Sequence, residues 1–382
     1  MSIYLDHAAT TPIHPKVKEA MLPFLDYAFG NPSSIHQYGR QVRSALDQAR
    51  DRVAECINAD PGQLVFTSGG TEADNLALFG VMEAERQKGK NHLVTTQIEH
   101  HAVLDTCHYL EKTGFEVTYL PVDQTGRVCP DMLKAAVKPQ TALISVMYGN
   151  NEVGTIQPVW EIGKWAQEHG VFFHTDAVQA LGVEKIDVKQ MPVDLVTLSS
   201  HKINGPKGAG ALYFSPKVRL VPRMFGGAQE RRRRAGTENV PGIVGFGQAA
   251  ELAGKFRREH REKIKELRQS FLDELVQSGI DYVVNGHPEQ TLPHILNISF
   301  PGTDSETLLM NLDLEGIACS SGSACTSGTL EVSHVLEAMH LAPEIVRSAI
   351  RFSFGLENTK EEVKTAAQKT VAIVRRLTEA NA

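Results

Sequence analysis

The chain has 382 residues, 42% of them hydrophobic and 22% charged, and its formal net charge is -6 at pH 7. This length favours two domains, each large enough to bury a hydrophobic core. The negative charge argues against a protein that coats nucleic acid or an anionic membrane, so we expect no direct binding to either. Residues 1–7 lack a signal-peptide pattern and no run of ~18 apolar residues occurs, so we expect a cytoplasmic protein.

The five cysteines and fifteen histidines form neither a disulfide framework nor a metal-binding pattern. CxxC and HExxH spacings do not occur in the sequence, and an odd, sparse set of cysteines is typical of free thiols in a reducing compartment. We therefore expect no metal site.

Between residues 60 and 215, short β-rich runs alternate with helical patterns. The pattern predicts strands at 64–67, 92–96, 142–147, 171–175 and 195–199, and helices at 72–84, from about 100 onward, and at 161–168. Apolar strands separated by helices indicate a largely parallel sheet covered on both faces. The predicted fold class is therefore α/β, with a mostly parallel central sheet flanked by helices in a large domain.

The composition changes after residue 245. Residues 245–275 are rich in Ala, Glu, Lys, Arg and Leu, which predicts a long exposed helix that bridges two domains. Beyond it we predict strands at 294–300 and 350–354, a helix at 305–314, and a final helix that begins with a capping box at 359–362. This order indicates a smaller α+β domain. We place the large domain at 13–255 and the small domain at 1–12 and 256–382, including a loop at about 319–330.

Cys325 lies among small, turn-forming residues in the segment Ser-Ser-Gly-Ser-Ala-Cys-Thr-Ser-Gly, at 320–328. A structural cysteine usually has apolar neighbours, whereas this segment cannot bury much and is expected to move. A thiol placed there could travel between a cofactor and a partner. The alternative is a Ser/Gly linker with an incidental cysteine.

Lys202 follows the apolar strand predicted at 195–199. The carboxyl ends of parallel strands face the crevice where α/β proteins bind ligands. An amine desolvated there can form a Schiff base with an aldehyde cofactor or substrate. Taken alone, the better interpretation of this residue would be an exposed loop lysine.

Three other segments lie at strand ends and favour the Schiff-base interpretation of Lys202 over an exposed loop lysine. Gly69, Gly70 and Thr71 lie between a strand and a helix, where backbone N–H groups can hold a phosphate. Asp176 could pair with a pyridinium nitrogen or cap a helix, and His100 could stack on a flat ring, move protons or begin a helix. Their joint placement points to pyridoxal 5'-phosphate (PLP).

Further segments carry a resemblance to a known family. They are YLDHAATTP at 4–12, GNPSSIH at 30–36, FTSGGTE at 66–72, GNNEVG at 149–154, HTDAVQ at 174–179, SHK at 200–202 and RAGTEN at 234–239. With these segments and the one around Cys325, the chain resembles the cysteine desulfurases of the NifS/IscS type almost end to end. They are a branch of the fold-type I PLP enzymes, in the class V aminotransferase family. The resemblance implies conversion of L-cysteine to L-alanine, with the sulfur transferred to Cys325 as a persulfide.

The resemblance also implies a role for each matching position. Lys202 would hold PLP, Asp176 would pair with the ring nitrogen, Gln179 would hydrogen-bond the phenolic oxygen, and His100 would stack on the ring and act as acid and base. The phosphate would be bound by the turn at Gly70 with Thr71, Ser199 and His201, and by Thr237 from the second subunit of a homodimer. Asn151 and Arg351 would hold the substrate carboxylate, with Asn31 close by. Without the resemblance, Arg351 is a strand-edge charge and Asn151 a turn residue.

Several alternatives stay open at this stage. Another fold-type I activity, such as an aminotransferase or a selenocysteine lyase, would share the cofactor set without needing Cys325. A non-catalytic scaffold would tolerate the loss of Lys202. The sulfur acceptor, in tRNA thiolation or in iron–sulfur cluster assembly, is not specified by the sequence. Cys319 is expected to pack as a small hydrophobe, with redox pairing to Cys325 as a minor alternative.

Overall fold

The computed structural model describes residues 2–322 and 332–381. Its strands are β1 (Ile3–Tyr4), β2 (Leu64–Thr67), β3 (His92–Thr96), β4 (Glu116–Leu120), β5 (Thr141–Ser145), β6 (Phe172–Asp176), β7 (Leu195–Ser199), β8 (Gly210–Phe214), β9 (Val283–Asn285), β10 (Ile295–Ser299), β11 (Ile317–Ala318) and β12 (Ala349–Ser353). Its helices are α1 (Pro15–Leu25), α2 (Gln37–Cys56), α3 (Gly70–Arg86), α4 (His101–Lys112), α5 (Pro130–Ala136), α6 (Val159–Glu168), α7 (Gln229–Arg232), α8 (Val240–Ser278), α9 (Ser305–Leu314), α10 (His334–Ala338), α11 (Pro343–Arg347) and α12 (Lys360–Asn381). Two 3-10 turns span Pro61–Gln63 and Ser200–Lys202.

The central sheet has seven strands within the described chain, in the order β2-β8-β7-β6-β5-β3-β4. Only β8 in this sheet runs antiparallel to its neighbours, and the other neighbouring pairs are parallel. Strands β5 and β7 are buried along their whole length, as strands covered on both faces must be. The predicted α/β fold is confirmed, and the carboxyl ends of β2, β3, β5, β6 and β7 meet at one edge.

Helix α8 is longer and more buried than the sequence predicts. It runs from Val240 to Ser278 and is largely buried up to Ala253, so the exposure predicted for 245–275 is wrong for this first stretch, whereas many later residues of the range are exposed. The reason is a close approach to α2. A Cβ atom added at Gly247 would lie 2.7 Å from the Cα of Ala49, a distance that only glycine permits. The small residues of α8 are therefore packing residues.

The second part of the chain builds two smaller sheets. Strands β12, β10 and β9 pair antiparallel, and β1 pairs with β11 in parallel, so the first residues of the chain join its carboxyl-terminal third. The predicted capping box of α12 is present, with the Glu362 carboxylate accepting from the Thr359 N–H at 2.9 Å.

The domain division at about residue 255 stays a prediction, because α8 runs through it unbroken. Among the described residues, no helix combines the length and apolar composition needed to cross a bilayer.

Candidate active site

The predicted site residues gather at the carboxyl edge of the central sheet. Lys202 ends the 3-10 turn that follows β7, and Asp176 is the last residue of β6. Gly70 begins α3 after β2, and His100 is the N-cap of α4 after β3. Parallel strands end at one edge, so four separate segments of the sequence are brought to one crevice.

Lys202 is held by the amino-terminal segment. Its Nζ donates hydrogen bonds to the carbonyl oxygens of Ala8 at 2.5 Å and Ala9 at 2.7 Å. Burial, reinforced by the positive charge of Arg351, lowers the pKa of this amine from 10.5 to about 8. Lys202 is therefore neutral far more often at neutral pH than an ordinary surface lysine.

Asp176 is a buried carboxylate, 8% exposed, followed by a turn rather than the helix that a capping role would require. Its Oδ1 accepts a hydrogen bond from the Val178 N–H at 2.9 Å. Burial raises the pKa of Asp176 from 3.8 to about 6, and Lys202 and the Val178 N–H only partly oppose this. A cation placed against this carboxylate would relieve the cost of its charge.

A small cradle lies beside these two residues. A Cβ atom added at Gly70 would lie 3.0 Å from Val178 Cγ2 and 3.8 Å from Ser199 Cβ, so the start of α3 touches the end of β7. Ser199 is 1% exposed, and its Oγ has no hydrogen-bond partner in the described chain. An unpartnered buried hydroxyl beside a helix N-terminus suits an anionic group, and the cradle fits the phosphate of PLP.

The two remaining phosphate candidates on this side are neighbours of Gly70 and Ser199 in the sequence. Thr71 is exposed in the first turn of α3. His201 is half-buried, and its Nδ1 lies 3.2 Å from the hydroxyl of Thr10, a neighbour that sequence reasoning missed.

His100 begins helix α4, which is one of the roles that the sequence suggested for it. Its Nδ1 accepts a hydrogen bond from the Ala102 N–H at 3.1 Å, which caps α4. Desolvation by the surrounding protein, together with the charge of Lys202, lowers the pKa of His100 to about 4 although part of the residue reaches solvent. The ring is thus neutral near pH 7, and because Nδ1 accepts, its proton sits on Nε2.

Gln179 is buried and already engaged within the chain. Its Nε2 donates to the Ala8 carbonyl oxygen at 2.9 Å, and its Oε1 lies 3.0 Å from Nε2 of His294. Sequence reasoning missed His294, because this histidine is 115 positions away and carries no motif.

Arg351 and Asn151 come together as the sequence predicts, although through the backbone of Asn151. The Arg351 Nη1 donates to the Asn151 carbonyl oxygen at 2.8 Å, and Nη2 donates to Asp6 Oδ1 at 3.0 Å. Arg351 is 4% exposed, and its Nε has no hydrogen-bond partner in the part of the chain that is described. Arg351 is therefore a buried guanidinium with an unpartnered Nε rather than a strand-edge charge. Sequence reasoning missed Asp6 as its partner.

Three other candidates are not brought into this cluster by the described chain. Asn31 lies in an exposed turn, where its Oδ1 accepts from the Ser33 N–H at 2.9 Å, and Thr237 is exposed between α7 and α8. Cys325 lies outside the described residues. Cys319 is described and half-buried, and burial raises the pKa of its thiol.

Comparison with known families identifies the chain. The family model of aminotransferase class-V matches residues 3–365. The chain belongs to this family. The putative cysteine desulfurase IscS 1 of Bacillus subtilis (strain 168) is 54% identical over 377 residues, covering 98% of this chain and 99% of the relative. The cysteine desulfurase IscS of Methanosarcina thermophila is 49% identical over 376 residues, covering 98% of this chain and 93% of the relative. The predicted resemblance to the cysteine desulfurases is confirmed.

Solved structures agree with the sequence relatives. A NifS-like protein superposes with a TM-score of 0.92 at 37% identity, covering 98% of this chain and 100% of that chain. SspA in complex with cysteine superposes with a TM-score of 0.82 at 35% identity, covering 94% of this chain and 100% of that chain. The fold of this family is therefore shared over nearly the whole chain.

Proposed function

We propose that this protein is a PLP-dependent cysteine desulfurase. In the overall reaction, L-cysteine and the Cys325 thiol yield L-alanine and a Cys325 persulfide, so that one sulfur atom is transferred and no external oxidant is needed. The observation that supports this function is the convergence of the Lys202 amine, the buried Asp176 carboxylate and the unpartnered Ser199 hydroxyl at adjacent strand ends.

Each of these groups suits one part of PLP. Bound PLP would supply an electron sink for the electrons released at the substrate α-carbon. Lys202 would hold its aldehyde carbon, because an amine with a pKa near 8 is a better nucleophile at neutral pH than an ordinary lysine. Asp176 would face the ring nitrogen and keep it protonated. Gly70 and Ser199 would hold the phosphate with Thr71 and His201, and Gln179 would reach the phenolic oxygen.

The substrate carboxylate would be oriented by Arg351. Two of its nitrogens are fixed by Asp6 and by the Asn151 carbonyl oxygen, so the guanidinium has one position. The remaining Nε donor would bind one carboxylate oxygen of L-cysteine. The Asp6 carboxylate pairs with Nη2, so the substrate carboxylate would be the second anion on the same guanidinium.

His100 would act first as a hydrogen-bond donor. In its neutral form the Nε2 carries the proton, because Nδ1 is occupied by the Ala102 N–H. To take up a second proton at Nδ1, the ring must give up its cap on α4. We therefore propose that the neutral ring orients the substrate by a hydrogen bond from Nε2, and that it moves a proton only after Nδ1 is released from the Ala102 N–H.

The remaining parts of the proposal concern partners. A homodimer is supported by the exposure of Thr237, which could then reach a second site, and by an exposed apolar run in which Leu25 is 66%, Phe29 73% and Ile35 91% exposed. Asn31 lies in this run. The persulfide would be passed to a sulfur-acceptor protein of tRNA thiolation or of iron–sulfur cluster assembly.

The test compares the wild-type protein with Cys325→Ser, with Cys129→Ser as the matched control because Cys129 is an exposed free cysteine elsewhere. L-Alanine and reducible sulfide are measured from L-cysteine, and the absorption of bound PLP is recorded. We expect Cys325→Ser to keep the cofactor absorption and to produce no sulfide, while Cys129→Ser behaves as wild type. Normal cysteine turnover by Cys325→Ser would refute the desulfurase proposal. If Cys325→Ser turns over L-selenocysteine faster than L-cysteine, this result would favour a selenocysteine lyase.

A further inference from the structure

A cavity of about 650 Å³ lies behind Lys202, and we call it the rear cavity. It is bounded by α8, by the residues that lead into α1, by the turn at 181–183 and by the segment after β12. Lys202 and Gln179 line its inner end, whereas Gly70, Ser199 and His100 are not among its lining residues. The rear cavity therefore lies apart from the phosphate cradle and from His100, but it shares Lys202 and Gln179 with the candidate active site.

The walls of the rear cavity are mainly apolar. Leu252, Ala253, Phe256 and Ile264 line it from α8, and Phe354 lines it from the segment after β12. A cavity of this size that combines an apolar wall with polar side chains suits a small organic ligand. The apolar part of a ligand would lie between α8 and the turn at 181–183.

Positive charge gathers around the same cavity. Lys16 and Lys263 line it and are exposed, while Glu357 is the acidic residue in its lining and accepts a hydrogen bond from the Asn204 side chain at 2.9 Å. His260 also lines the cavity, and burial lowers the pKa of its imidazole, so this ring adds no charge near neutral pH. The two lysine ammonium groups therefore give the cavity a preference for an anion.

Two buried histidines in the lining, His7 and His294, have ring nitrogens without a hydrogen-bond partner in the described chain. His294 is 8% exposed, and its Nε2 lies 3.0 Å from Gln179 Oε1. Its Nδ1 has no hydrogen-bond partner within the described residues. Buried polar atoms are nearly always hydrogen-bonded, so this nitrogen indicates a place for a polar group that the chain itself does not supply.

We propose that the rear cavity binds an amphipathic organic anion, with its apolar body against α8 and its acidic group near Lys16 and Lys263. A ligand in this position would also contact the inner end of the cavity at Lys202 and Gln179.

The experiment is a fluorescence titration of the PLP-loaded enzyme with 8-anilinonaphthalene-1-sulfonate, an aromatic sulfonate. N-phenyl-1-naphthylamine serves as the uncharged counterpart. We expect Lys263→Gln to weaken binding of the sulfonate about three-fold, as for a partly exposed charge pair, and to leave the uncharged dye unchanged. Lys265→Gln is the matched control, because Lys265 lies on the same helix, is exposed and does not line the cavity.

A second variant tests the location. Leu252→Trp adds volume to a half-buried wall residue and should weaken the binding of both dyes by more than about ten-fold, since close-packed interiors do not accommodate added volume freely. Leu309→Trp on α9, also half-buried, is the control outside the cavity. Unchanged sulfonate binding in Leu252→Trp would overturn the site. Equal losses in Lys263→Gln and Lys265→Gln would overturn the assignment of the anionic group.

Competition then defines the ligand. We expect dodecanoate to displace the sulfonate and inorganic phosphate to leave it bound. Displacement by phosphate alone would show a simple anion site and would contradict the amphipathic ligand. None of these measurements depends on desulfurase activity, so the proposal can fail or stand independently of the proposed function.

Discussion

Asp176→Asn should stabilise the apoprotein at neutral pH while it weakens PLP binding. The pKa of Asp176 rises from 3.8 to about 6 on folding because the carboxyl is buried. At 1.36 kcal/mol per pKa unit, this shift corresponds to a cost of about 3 kcal/mol for the charged carboxylate in the folded protein. We expect Asp176→Asn to raise the free energy of unfolding by about 1–3 kcal/mol. Between these two pKa values the folded state holds a proton that the unfolded state has lost, so stability falls as pH rises through this window. Asparagine removes the charge and keeps an oxygen that accepts from the Val178 N–H.

The assay is urea unfolding of the PLP-free protein, followed by circular dichroism at pH 4 and pH 8, with PLP affinity measured separately. The variant should be more stable than wild type at pH 8, and the difference should shrink toward pH 4. Asp74→Asn is the matched control, since Asp74 is 1% exposed and burial also raises its pKa. It should stabilise the apoprotein without a comparable loss of PLP affinity. An Asp176→Asn apoprotein no more stable than wild type at pH 8 would refute the reasoning.

Three further outcomes are expected. Below pH 8 the rate of PLP uptake by the apoprotein should rise about ten-fold per pH unit, and it should level off near pH 8 because the Lys202 pKa is about 8. A rate that levels off only near pH 10.5 would mean that the pKa of this amine is not lowered. Arg351→Lys should lower kcat/KM for L-cysteine by about ten- to a hundred-fold through lost fixed donors, and Arg347→Lys, exposed on α11, should not. Ser333→Ala removes the N-cap of α10 and the hydroxyl that donates to buried Glu152 at 2.5 Å. It should lower the free energy of unfolding, measured in urea, by about 1–2 kcal/mol. An unchanged urea midpoint would contradict this expectation.

The strand-end residues were predictable from the sequence because they depend on chain order alone. An apolar strand followed directly by Asp176 or by Ser199 and Lys202 places these groups at the carboxyl edge of a parallel sheet, whichever strands are neighbours. Gly70 was predictable for the same reason, since a glycine between a strand and a helix marks a turn with free N–H groups. The described structure brings all four together.

Contacts between distant segments were not predictable in the same way. The pairing of Gln179 with His294 and of Arg351 with Asp6 depends on how the smaller sheets fold against the large one. The exposure predicted for residues 245–275 failed over its first stretch for a similar reason. Composition indicates that a helix forms there, but only the position of α2 determines that Gly247 must be buried against it.

Three polar groups of the candidate site are not fully satisfied by the folded chain. The Ser199 hydroxyl and the Arg351 Nε are buried without partners in the described residues, and Asp176 carries a charge that burial opposes. Each of these groups reduces the stability of the apoprotein, because an unpaired buried polar group costs about 1–3 kcal/mol. Each would be relieved by the part of a ligand that it faces: a phosphate, a carboxylate and a ring cation. The folded protein therefore becomes more stable when PLP satisfies these groups, because a ligand that binds only the folded state stabilises it. PLP should raise the unfolding midpoint of the wild-type protein more than that of Asp176→Asn.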